Sequence, residues 1–406
     1  MAFSPEVKLT IDRNSLPSYE LKPLNLIPDS ELIAARYDEL IFDVECYPNY
    51  FLIAFKHIKS GKCLTFEISP DSQLEIEKLN WVLWNFTLIG FNSNNYDLPM
   101  IFLALKGFGA SELKQVSNRI ISDELRINNI KKEYDVFIPK NLNHIDLIEV
   151  APLDASLKTY SGRLHCPRMQ DLPFEPDMHL TQLQAEYVKH YCVNDLDNTE
   201  LLFKSLSEQI KLRCDMSEQY SIDLRSKSDA QIAEQVICSE VAKINGYWPK
   251  RPVIIEGQAY KYFPPEFMKF KTQLFNNVFE TVLNTDFTVG KSGAIEMPES
   301  LNGLEVKIGQ GVYRMGIGGL HSSEESVAHK SDSEFVLIDR DVASYYPSII
   351  LNMELYPKHM GKAFLTVYRE LVERRLAAKH NGNKIEADSL KITINGSFGK
   401  LGSRYS

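Results

Sequence analysis

Apolar and polar residues alternate along Glu39–Tyr47, so that Phe42, Val44 and Cys46 fall on one face of a strand and Asp43 and Glu45 on the other. Two further strand-like runs, 50–57 and 62–68, follow across the turn-forming pairs Pro48-Asn49 and Ser60-Gly61, which predicts an antiparallel meander. A helix-like stretch over 71–84 leads to a fourth strand at 87–91, another helix opens near Asp97, and 144–150 reads as a fifth strand. The pattern over 181–214 is that of one long helix, with Leu183, Tyr187, Tyr191, Leu196 and Leu201 on or near one stripe. Residues 1–36 are weakly patterned and punctuated by proline.

The second half is less regular until 334–338, where Glu334-Phe335-Val336-Leu337-Ile338 has the pattern of a buried strand ending close to Asp341. A carboxylate held at a strand end can reach a hard cation. Beyond it, 364–380 is a basic helical pattern stopped by Asn381-Gly382-Asn383, and 384–398 reads as a second helix, together a helical hairpin. The elements predict a mixed α/β (α+β) chain.

Composition narrows the class. With 406 residues, 44% hydrophobic and 24% charged, the chain can bury a large core and divide into two or three domains. No apolar run has signal-peptide or bilayer-spanning length, so no membrane partner is expected and the cytoplasm is the expected address, that of a host if the chain is viral. The six cysteines include no C-x-x-C pair, which argues against a zinc ribbon or a disulfide framework. A net charge of -9 opposes nucleic-acid binding, but bases outnumber acids between Lys358 and Lys400.

The acids fall at telling places. Asp43 and Glu45 leave one face of a strand, where two carboxylates repel unless a cation lies between them. Gly90-Phe91-Asn92-Ser-Asn-Asn-Tyr96-Asp97 puts a third acid just past a strand end, and Tyr191 and Asp195, four apart, share a helix face. Singly, a D-x-E on a strand is most often a solvated face. Together and in this order, these segments resemble the D-x-E, N-x-x-x-[FY]-D and Y-x-x-x-D motifs of DEDD-type 3′-5′ proofreading exonucleases.

Farther on, Asp341-Val-Ala-Ser344-Tyr345-Tyr346-Pro347-Ser348-Ile349-Ile350 resembles motif A of family B DNA polymerases, and Lys391-Ile-Thr-Ile-Asn395-Gly396-Ser397-Phe398-Gly399 resembles motif B, K-x-x-x-N-S-x-Y-G, with Gly396 and Phe398 in place of Ser and Tyr. Gly316-Ile317-Gly318-Gly319 resembles the Y-x-G-G segment of phage-type members, with Gly316 where tyrosine is usual. The resemblance implies an N-terminal extension (1–36), a ribonuclease H-like exonuclease domain (37–225), a connecting region (226–333), a partial palm (334–360 and 399–406) and a fingers hairpin (361–398).

It also implies roles. Asp43, Glu45, Asp97 and Asp195 would hold two Mg2+ (or Mn2+) ions, Tyr191 would orient the nucleophilic water, and Asn92 would contact the 3′ strand. In the second site Asp341 and the Val342 carbonyl would bind magnesium, and Ser344 and the Tyr345 backbone would hold phosphate. Tyr346 would lie under the deoxyribose, while Arg375, Lys379, Lys391 and Asn395 would receive the triphosphate of a deoxynucleotide. Gly318, Gly319 and Gly399 would approach DNA.

Motif C, a Y-x-D-T-D supplying the second palm carboxylate, does not occur in residues 1–406. The chain is therefore expected not to extend primers by itself and to need a C-terminal polymerase fragment carrying motif C and thumb. The short interval from Asp341 to Lys391 leaves little room for the insertion of protein-primed relatives. Two alternatives are a free-standing 3′-5′ DNA exonuclease and a non-catalytic DNA-binding subunit of a split polymerase.

Overall fold

The strand runs become a five-stranded mixed sheet in the computed structural model, which describes residues 16–401 except 154, 254, 310, 324, 325, 327 and 343. The first fifteen residues of the predicted extension and 402–406 of the predicted palm lie outside the described residues. The chain divides into two compact units at Ser228/Asp229.

In the first unit β1 (Glu39–Tyr47), β2 (Tyr50–His57), β3 (Cys63–Ile68), β4 (Thr87–Gly90) and β5 (His144–Asp146) take the order β3-β2-β1-β4-β5. β1 pairs antiparallel with β2, and β2 with β3, whereas β4 runs parallel to β1 and β5 parallel to β4. Around it lie α1 (Asp29–Ala34), α2 (Ile76–Asn85), α3 (Asp97–Leu105), α4 (Ala110–Ser122), α5 (Ile127–Glu133), α6 (Leu157–Arg163), α7 (Gln182–Ser205) and α8 (Ser207–Tyr220). Both sheet faces are covered. Phe42, Val44 and Cys46 join Phe55, Phe66, Leu83, Met100 and Leu113 in one core, while Ile41, Tyr47, Leu52, Ile89 and Ile145 join Val188, Cys192 and Leu196 in the other. Ile27 and Leu32, from the segment read as an extension, are buried in the first core.

Three expectations need adjustment here. The fifth strand stops at Asp146 and gives way to a 3-10 turn, Leu147–Glu149, because the Asp146 side chain accepts the Ile148 amide and turns the chain. The long helix breaks at Leu206 into α7 and α8. Leu183 is exposed, and the buried stripe runs instead through Gln184, Tyr187, Val188, Tyr191 and Cys192.

The second unit contains α9 (Asp229–Asn245), β6 (Ala259–Tyr260), α10 (Gln273–Asn284), β7 (Phe287–Thr288), β8 (Glu305–Ile308), β9 (Gly311–Gly316), β10 (Gly319–Ser322), α11 (Tyr345–Asn352), α12 (Ala363–His380) and α13 (Lys384–Leu401). The helical hairpin α12–α13 packs on α9 around Ile237, Val241, Phe364, Tyr368, Leu371, Leu390 and Ile394. Gly396 sits where a Cβ would lie 2.6 Å from the Asp229 carbonyl oxygen and 2.8 Å from the Ala233 methyl. A serine side chain at 396 does not fit this packing. Gly396→Ser is accordingly expected to cost about 1–3 kcal/mol by overpacking; a melting temperature equal to the parent's would contradict the packing described.

The predicted buried strand at 334–338 is overturned. Phe335, Val336, Leu337 and Ile338 are 69%, 75%, 67% and 62% exposed and form no strand. A strand needs a neighbour to satisfy its amides and carbonyls, and among the described residues no strand pairs with this run. Among the described residues no helix is long and apolar enough to cross a membrane.

Candidate metal centre and a second candidate site

β1 is central in the sheet, so Asp43 and Glu45 are presented on a rigid backbone toward α7. Asp43, Glu45 and Cys192 bring ligand atoms within 4.8 Å of one another. Cys192 Sγ lies 3.8 Å from Asp43 Oδ2. Asp97 is buried at the start of α3, where its Oδ1 accepts the Val44 amide at 3.1 Å, tying the helix start to β1. Beyond the effect of burial, Asp97 is close enough to Asp43 for the Asp43 charge to hold its carboxyl up. Asp195 lies beside them on α7, bonded to the Tyr191 hydroxyl, and its charge acts on both Asp43 and Glu45.

The electrostatics follow from crowding acids out of water. Burial, then the neighbouring Asp195 charge, pushes Asp43 up to about 7. Burial and the charges of Asp43, Asp195 and Asp97 hold Glu45 well above the ordinary carboxylate range. Asp97 is raised well above it by burial and by Asp43, and burial brings Asp195 to about 6. Burial likewise keeps the Tyr191 hydroxyl protonated at any ordinary pH, so it remains a donor. The donor set of hard carboxylate oxygens, mutually repelling and recessed, fits divalent magnesium or manganese.

Two neighbours escaped the sequence reading. Lys158 on α6 sets its Nζ 5.9 Å from the centre of the Tyr191 ring and its charge favours the ionised forms of Glu45 and Asp195. It also donates to Asp171 Oδ1 at 2.9 Å. No spacing marks it in the sequence, since it is separated from every acidic motif. Asp146, at the end of β5, accepts the Asn94 amide at 2.8 Å and so fixes the loop carrying Asn92 to Asp97. In the sequence Asp146 falls inside the run 144–150 read as a strand, so no strand-end signal marked it. Asn92 itself, with φ 59, has its side-chain oxygen bonded to Asn95 Nδ2 at 2.9 Å.

In the second unit the segments 341–350 and 391–399 meet at one pair of rings. The Tyr346 ring stacks on Phe398, centroids 3.8 Å apart and planes at 20°, and Tyr345 touches Tyr346. Ser344 caps α11 in the left-handed region at φ 51, a conformation that costs a non-glycine residue about 1–3 kcal/mol. Asp341 and Val342 are exposed in non-strand chain, where the Asp341 carboxylate accepts the Val342 amide at 2.8 Å. This differs from the expected acid held at a strand end, because the strand before it does not form. Position 343 lies outside the described residues.

On α12 Arg375 is half-buried, with its Nε buried and without a hydrogen-bond partner, while Lys379 is exposed. Lys391 and Asn395 lie exposed one turn apart on α13, and Gly399 continues that helix. Gly318 and Gly319 form the β9–β10 turn; Gly319, at φ 130, needs the freedom of glycine, and a Cβ at either position would meet nothing within 4 Å.

No protein-family model matches the chain, and no curated protein matches it.

Proposed function

We propose that the first unit is a metal-dependent 3′-5′ DNA exonuclease and that the chain is the N-terminal portion of a family B-like DNA polymerase. One arrangement carries this reading: Asp43 and Glu45 share a cluster of ligand atoms within 4.8 Å on β1, Asp97 is tied to the same strand through the Val44 amide, and Asp195 acts on both from α7 beside Tyr191. The sheet order β3-β2-β1-β4-β5, with three antiparallel strands followed by two parallel to β1, supports a ribonuclease H-like fold.

Asp43, Glu45, Asp97 and Asp195 would hold the divalent ions. Bound there, such ions would supply a nucleophile at neutral pH and charge stabilisation for both the attacking and leaving oxygens of a phosphodiester. The protein's own share is positional. Asp97 is fixed to β1 through Val44, and Asp146 holds the loop before it, so the acids are arranged before substrate arrives. Tyr191, protonated and bonded to Asp195, can orient a water by its hydroxyl. Lys158 offsets part of the carboxylate charge that would repel an entering phosphate. Magnesium-dependent shortening of single-stranded DNA from its 3′ end tests the reading, and protein that leaves such DNA intact would overturn it.

For the second unit we propose a polymerase palm-and-fingers part, supported by the stacking of Tyr346 on Phe398 and by the basic groups of α12 and α13. Deoxynucleoside triphosphates and primer-template DNA would be its ligands. Asp341 is exposed and the run before it forms no strand, which favours, as a second reading, a free-standing 3′-5′ DNA exonuclease. Residues 1–406 alone are expected to add no nucleotide to a primed template in magnesium. Extension appearing only when a fragment bearing Y-x-D-T-D is supplied would favour the split-polymerase reading, and extension by the chain alone would contradict both.

A further inference from the structure

We propose that Cys192 makes the β1–α7 recess a site for thiophilic divalent cations, zinc foremost, bound by Asp43, Glu45 and the Cys192 sulfur. The inference rests on reading Asp43 and Glu45 as cation ligands and adds a chemically different donor to them. Cys192 lies three residues before Asp195 on α7, on the face turned to β1. Its side chain is fully buried, and its Sγ lies 3.8 Å from Asp43 Oδ2. With zinc–sulfur bonds near 2.3 Å and zinc–oxygen bonds near 2.1 Å, sulfur and oxygen on one tetrahedral ion stand about 3.6 Å apart. The observed separation is close to that, and the Glu45 carboxylate completes the trio within 4.8 Å. Among the described residues this is the grouping of His, Cys, Asp or Glu with metal-ligand spacing.

A hard ion such as magnesium takes oxygen ligands and gains little from the sulfur, whereas zinc or cadmium gains a thiolate bond. When the metal–sulfur bond forms, the S–H bond breaks and its proton passes to solvent. Zinc bound in this way withholds Asp43 and Glu45 from magnesium, so the recess is a point at which zinc restrains the nuclease.

Cadmium titration of the metal-free chain tests this without any activity. The wild type is expected to develop a thiolate-to-cadmium charge-transfer band saturating at one equivalent, with a 113Cd resonance in the range of one sulfur with oxygens. Cys192→Ser and Cys192→Ala are expected to lose the band and to bind zinc about 10–100-fold more weakly, and Asp43→Asn is expected to weaken it. A band of equal intensity in either cysteine variant would place the metal on another thiol and overturn the proposal. Should the variants not fold, an all-oxygen 113Cd shift in the wild type overturns it equally, and a mixed shift whose intensity falls in Asp43→Asn supports it. Protein that shortens DNA in magnesium but shows no band refutes the zinc site alone; protein that shows the band but leaves DNA intact refutes the nuclease reading alone.

Discussion

Asp43→Ala combined with Glu45→Ala is expected to abolish magnesium-dependent digestion of single-stranded DNA while leaving the chain folded. The two residues leave one face of the central strand with ligand atoms within 4.8 Å of each other, and the Asp97 and Asp195 charges act on that pair. A metal centre stripped of both ligands loses several kcal/mol of transition-state charge stabilisation. Four kcal/mol corresponds to about a thousandfold in rate. The assay is the release of nucleotides from a 3′-labelled single strand, with circular dichroism to establish that the double variant is folded. Folding is expected to survive because neither side chain contributes to the apolar cores, which use Phe42, Val44 and Cys46 on one face of β1 and Ile41 and Tyr47 on the other. Digestion persisting within tenfold of the parent would remove the metal-centre reading.

The second large effect has opposite signs with and without metal. A carboxyl raised to about 7 in the fold, against about 3.9 in an unfolded chain, destabilises the native state once ionised. The sign follows from the protons bound: between these two values the folded state holds the proton that the unfolded state has released. Stability therefore falls as pH rises from about 4 to about 7, then levels. The full effect of Asp43 amounts to roughly 4 kcal/mol, less whatever Asp97 and Asp195 recover by relaxing.

Asp43→Asn removes that liability, so in chelator above pH 7 the variant is expected to melt several degrees above the wild type. Saturating magnesium reverses the order. Ligand at about a hundred times its dissociation constant adds roughly 2.7 kcal/mol to the protein that binds it, and the variant lacks a ligand. Thermal melts of both proteins, each in chelator and in magnesium at pH 8, read the crossing directly. Parallel shifts of the two proteins would mean that the ion binds elsewhere.

These expectations rest on a fold whose local parts were legible before any coordinate. The alternation over Glu39–Tyr47 located the carboxylate face of β1, and the turn pairs Pro48-Asn49 and Ser60-Gly61 delimited the meander that pairs β1 with β2 and β2 with β3. Tyr191 and Asp195 share a helix face, as a spacing of four requires. The hairpin of α12 and α13 follows from the Asn-Gly-Asn stop between two helical patterns. The segment 334–338 was misread for an instructive reason. Its composition states a preference for burial, but burial and strand formation need a partner outside the segment, and among the described residues none is paired with it.

The chain's order of apolar and polar residues thus determined which elements form and which side chains share a face, because periods of two and of 3.6 are properties of the local backbone. Only the tertiary structure decided that Asp97 bonds to Val44, that Lys158 faces Tyr191, that Cys192 stands against Asp43, and that Tyr346 stacks on Phe398. Contacts between residues far apart in sequence depend on how whole elements cross and pack, and no spacing along the chain encodes that distance.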